Sequence, residues 1–112
     1  MDVMVYRRIA AKIKVLLDFK NMSYKDMGKS IGWGKAAVGH WIRMERTPSN
    51  EALIKIADFA GISRDYFFRE FNSHGQIFGT SEIDKGINID EICYMEAMAD
   101  LLRELHKAKE RH

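Results

Sequence analysis

Cysteine and proline each occur once in 112 residues, and histidine only four times. A single thiol, Cys93, excludes an internal disulfide, and without a Cys/His cluster at ligand spacing no zinc site is encoded. A reducing, cytoplasmic setting is therefore expected. No segment approaches the roughly 20 apolar residues of a membrane-spanning helix, and residues 1–6 lack the charged start and apolar run of an export signal. No membrane partner is expected. A Ser/His/Asp set, paired carboxylates, a glycine-rich phosphate loop and an HExxH sequence are also missing from any context that would build a pocket. The sequence thus predicts no enzyme, no cofactor and no metal. His106 and His112 are six apart and do not share a helix face, so they make poor ligands. With no basic neighbour in sequence to activate it, Cys93 reads as a half-buried packing residue.

Strong charge of one sign is absent too, since 18 Lys/Arg against 16 Asp/Glu leave a net +2. The balance is uneven along the chain. Residues 1–72 carry 13 Lys/Arg against 8 Asp/Glu, whereas residues 73–112 carry 5 against 8. A basic first half is compatible with a nucleic-acid partner, and the acidic remainder with another task. The length suits one compact domain with a real core and a modest extension.

What is present is helical periodicity. Val5, Ile9, Ile13, Leu16 and Leu17 recur at three and four residues, so residues 3–21 read as one amphipathic helix, with Arg7, Arg8, Lys12, Lys14 and Lys20 mostly off its apolar face. Residues 23–43, SYKDMGKSIGWGKAAVGHWIR, organise the rest. Met27 and Ile31 share one face of a first short helix, and Val38 and Trp41 share one face of a second. Ser23 with Asp26 is a capping box, and Gly32 supplies the left-handed residue that ends the first helix. Gly28 inside that helix costs roughly 1 kcal/mol relative to alanine, which fits a close approach of neighbouring chain. Two helices crossing over a glycine turn form a helix-turn-helix. Trp33 and Trp41 read as core. Beyond the exit loop of Arg46, Thr47 and Pro48, Ser49 caps a helix that buries Leu53, Ile56, Ala57 and Ala60 and closes at Gly61. A further helix opens at Ser63 with Asp65 and Tyr66, and is expected to bury both Phe67 and Phe68.

The string from Ser23 to Pro48, followed by EALIKIADFAGISRDYFF, resembles the lambda-repressor-like (Cro-type, XRE-like) family of helix-turn-helix transcriptional regulators over residues 5–68. The resemblance implies an all-α, five-helix domain, to which the helical pattern of residues 90–112 appends a C-terminal amphipathic helix. It implies a bacterial or phage DNA-binding regulator, a repressor, whose second helix of the pair, residues 35–43 with Gly34 as N-cap, enters the major groove. Carried over by position, Lys35, Ala36 and His40 would face the bases, Arg43 the phosphates, and Tyr24 the backbone in place of a glutamine; Arg46, from its own place in the exit loop, is expected to reach a phosphate as well. A family arginine–glutamate pair is replaced at both ends, by Leu17 and Ile42, as a buried ion pair can be without loss. Gly34, Ala36, Ala37 and Gly39 leave few side chains to read base edges. A protein-binding inhibitor or antirepressor on the same scaffold therefore stays open as a second function.

The domain is placed at residues 1–71 and a connection at 72–89, where periodicity fails; Ser81 to Lys85 could form one helical turn. Residues 90–112 read as a helix, opened by acidic and closed by basic residues as the macrodipole prefers. It carries two apolar seams: Tyr94, Met98, Leu101 and Leu105 in one, Ile92, Met95, Ala99 and Leu102 in the other. A stripe that wide suits packing on the domain and on a second copy, with Glu96, Asp100, Arg103 and Lys107 on the wet side. A homodimer is expected, in which an antiparallel pair sets Glu91 near Lys107 of the second copy.

Overall fold

The computed structural model describes residues 3–34, 36–68 and 88–110. Among the described residues there are six helices and no strand: α1 Val3–Lys20, α2 Tyr24–Ile31, α3 Ala37–Ile42, α4 Asn50–Ala60, α5 Asp65–Phe68 and α6 Ile89–Glu110. The end of the expected first domain near Phe71, and nearly all of the expected connection, lie outside the described residues.

Local chemistry sets the boundaries. Ser23 Oγ accepts from the Asp26 N–H and Ser49 Oγ from the Ala52 N–H, each at 3.1 Å, so α2 and α4 start at capped ends. Four helices stop in the same way, with one left-handed residue followed by a backbone N–H that reaches back to the last turn. Those residues are Asn21, Gly32, Met44 and Gly61. The returning bonds are Met22 N to Leu17 O, Trp33 N to Gly28 O, Glu45 N to His40 O and Ile62 N to Ala57 O. Met44 is the exception among the four, a side chain with φ 62° where glycine or asparagine is usual.

One core joins all the helices. Ile13, Leu16 and Leu17 of α1, Met27 and Ile31 of α2, Val38 and Trp41 of α3, Ile56 and Ala57 of α4, and Tyr66 and Phe67 of α5 are buried together. Cys93, Ala97 and Leu101 of α6 belong to the same cluster, so α6 completes the core. Trp33 packs on its edge, with its ring centroid 6.1 Å from that of Trp41 in an edge-to-face contact. Phe68 departs from expectation and stays 42 % exposed. Successive helix positions point about 100° apart, and with Tyr66 and Phe67 already filling the inward side of this four-residue helix, the next position, Phe68, turns outward.

The larger departure is charge inside the α1–α6 contact. Lys12 is 1 % exposed, although its sequence position reads as surface. Its ammonium donates to the Tyr66 carbonyl, stands 3.7 Å from Asp100 Oδ2 and lies over the Tyr66 ring. One turn earlier, Arg8 Nε stands 3.5 Å from Glu96 Oε2. Cations four apart on α1 thus meet carboxylates four apart on α6. Glu96 and Asp100, expected on the wet side of α6, face inward for this reason. Burial holds the Glu96 carboxyl above the usual carboxylate range, although Arg8 pulls it down. The Tyr66 hydroxyl donates to the Ala97 carbonyl at 3.2 Å, tying α5 to α6.

Candidate nucleic-acid interface

The α2–α3 pair is set by backbone contact at its glycines. A Cβ on Gly28 would lie 2.8 Å from the Gly34 carbonyl oxygen, so the turn itself, more than the second helix, requires glycine there. Gly32 takes φ 79°, and its N–H closes on the Lys29 carbonyl at 3.2 Å. Ala37 N then bonds to Gly34 O at 3.2 Å, and α3 begins at Ala37, later than the expected start at residue 35. Ala36 occupies the cap position in a helical conformation and offers no side-chain cap.

Around α3 the expected site residues are distributed as follows. Ala36 is exposed and His40 half-buried, while Tyr24, Arg43 and Arg46 are exposed. Lys35 lies outside the described residues. Gly39 is buried, and a Cβ there would meet an Arg43 guanidinium nitrogen at 3.0 Å and the Tyr24 ring at 3.4 Å. Tyr24 of α2 and Arg43, the residue that follows α3, therefore close over the bare backbone of Gly39. Arg46 is placed by its own N–H, 3.4 Å from the His40 carbonyl at the end of α3.

One residue outside the expected set joins this group. Glu45 sends one carboxylate oxygen to Arg43 Nε and the other to His40 Nδ1 at 3.2 Å. The Arg43 bond, chiefly, holds the Glu45 carboxyl below the usual carboxylate range, with a further pull from His40. Residues two apart do not meet on a helix. The contact exists because left-handed Met44 reverses the chain, and the Glu45 N–H locks onto the His40 carbonyl at 2.9 Å. The face thus presents the small Ala36 at its start, the two arginines Arg43 and Arg46 at its exit, and a carboxylate that bridges Arg43 and His40.

A groove of about 890 Å³ adjoins the exit of α3 and runs between α1 and the start of α6. Ala10, Ala11, Ile42 and Met44 line its apolar part, while Arg7, Lys14 and Arg43 oppose Asp18, Asp90 and Glu91 on its rim. Mixed charge gives it no single-sign field. Among the described residues no group of three His, Cys, Asp or Glu could hold a metal ion, and no helix is long and apolar enough to cross a membrane.

Comparison with known proteins agrees with this architecture. Residues 13–67 match the helix-turn-helix family model, and this segment belongs to the lambda-repressor-like helix-turn-helix family, a family of DNA-binding regulators. The matched span runs from the middle of α1 to Phe67, and α6 lies beyond it. No curated protein and no solved structure matches the chain significantly.

Proposed function

We propose that the protein is a transcriptional regulator that binds duplex DNA as a homodimer, a repressor of bacterial or phage type, with α3 in the major groove. The observation that supports this most is the cluster at α3, where Tyr24 and Arg43 lie over the buried backbone of Gly39, and Ala36, Tyr24, Arg43 and Arg46 are all exposed. An exposed alanine at the start of the helix, Ala36, can contact a thymine methyl, and exposed arginines at its end can pair with phosphates. Lys35 and His40 supply the donors that would read base acceptors, Lys35 by family register and His40 from its partly exposed place on α3. A dimer then engages two half-sites about 34 Å apart. Selection from a randomised duplex pool tests the proposal. Enrichment of a two-fold symmetric sequence is expected, and a pool that emerges unenriched counts against it.

A second function is favoured by Glu45, whose carboxylate lies against Arg43 and His40 where DNA phosphates would approach. A face with few side chains to read bases and already neutralised at its exit suits a protein partner, as in an inhibitor or antirepressor. Glu45→Gln separates the two. A DNA-binding face should gain affinity for duplex when the competing carboxylate is removed, whereas a protein-binding face should stay indifferent to duplex.

A further inference from the structure

The outward face of α6 carries an apolar row that the described residues leave uncovered: Met95 is 57 %, Met98 42 % and Leu102 58 % exposed. These three recur at three and four residues and stand in line. The row continues to an acid at one end and a base at the other. Glu91 lies four residues before Met95, Lys109 lies seven after Leu102, and both are exposed. Steps of four, three, four and seven are the spacing of a helix–helix seam. At about 1.5 Å per residue the row spans roughly 27 Å.

Charge decides how a like helix can lie on it. A parallel pair would set Glu91 on Glu91 and Lys109 on Lys109, whereas a two-fold antiparallel pair brings opposite ends together. We propose that a second copy of this chain docks antiparallel on this face of α6. The two-fold lies level with position 100, so Met98 faces Leu102 of the second copy, and Glu91 faces its Lys109. Because the contact is isologous, every pair occurs twice. Lys107, the partner of Glu91 in the sequence reading, is turned the other way. Its ammonium lies 3.9 Å from Glu104, whose side chain is 3 % exposed and faces the domain core. Ile92 and Leu101 are likewise taken up inside the monomer, and Tyr94 and Leu105 are partly buried. Met95, Met98 and Leu102, with the smaller Ala99 beside them, remain exposed for a second copy.

This inference deepens the dimeric function proposed above and rests on it, yet it is tested without DNA. Sedimentation of the full chain is compared with that of Glu91→Lys, Lys109→Glu, the double reversal, and Leu102→Asp. All three substitutions fall on exposed positions, so circular dichroism should be unchanged. Wild type is expected to be dimeric at micromolar concentration, and Leu102→Asp monomeric. Each single reversal should weaken association about tenfold, since two attractive exposed pairs become two repulsive ones. The double reversal should restore it. A monomeric wild type, or a double reversal no better than the singles, overturns the antiparallel pair. A restored dimer that shifts no duplex would instead sink the DNA-binding function and leave the helix pair standing.

Discussion

Lys12→Met tests the energetics of the core most sharply, because methionine keeps the buried stem and removes only the ammonium. Two losses follow. The Tyr66 carbonyl loses its donor, worth about 1–3 kcal/mol for a buried acceptor left unsatisfied. Asp100 loses a cation at 3.7 Å. Removing one partner of a buried pair costs about 3–5 kcal/mol when nothing else holds the survivor, but Arg103 still binds Asp100 at 2.6 Å and keeps the second loss well below that range. The sum should come to about 3 kcal/mol. Urea unfolding followed by far-ultraviolet circular dichroism should show the midpoint fall by roughly 1.5 M with an unchanged slope, taking about 2 kcal/mol per molar for a chain of this size. Adding Asp100→Leu replaces the pair by apolar groups. The double variant should then be more stable than Lys12→Met by about 1 kcal/mol or more, a coupling that distant sites do not show. A single loss under about 1 kcal/mol, or strictly additive effects, would refute a buried pair and leave Lys12 as a surface residue.

Three further outcomes are expected. Gly28→Ala should lower stability by roughly 1–2 kcal/mol in the same urea assay, because the strain of a new Cβ at 2.8 Å from a backbone oxygen exceeds the gain of about 1 kcal/mol in helix propensity. Met44→Gly should raise stability by about 1 kcal/mol, since glycine takes φ 62° without the left-handed penalty. Burial pushes the Cys93 thiol above its ordinary value of 9.0, so a thiol–disulfide reagent at mildly alkaline pH should modify native protein at least about tenfold more slowly than urea-unfolded protein. The sign for stability follows from the same shift: this contribution is complete below the unfolded value and is lost as pH rises through the higher folded one.

The helix-turn-helix was legible because each signal acts over a few residues. Ser23 and Ser49 are caps, Gly32 and Gly61 end their helices, and the seams of Met27 with Ile31 and Val38 with Trp41 are short-range periodicities. What escaped depends on partners distant in sequence. Periodicity counts Lys12, Glu96 and Asp100 as polar and assigns them to water, and only the meeting of α1 with α6 makes their burial tolerable. That meeting also fixes the rotation of α6, which two comparable apolar seams left open. Glu45 was invisible at the interface for a different reason. Its place depends on a left-handed methionine, and no glycine or asparagine marks the reversal at Met44. The expected start of the recognition helix was early because Gly34, without a capping side chain, gives way to a turn before Ala37.

The central claim is that the α2–α3 face binds the phosphate backbone of duplex DNA, and salt dependence tests it most directly. Fluorescence anisotropy of a labelled duplex drawn from the randomised pool, titrated with protein at increasing salt, should give a logarithm of affinity that falls linearly with the logarithm of salt concentration. Arg43 and Arg46 from each of two copies predict a slope of roughly −3 to −4, at about −0.9 per phosphate neutralised. Replacing both arginines by alanine should flatten most of it. An affinity for duplex that is absent, or that does not change with salt, would contradict the account.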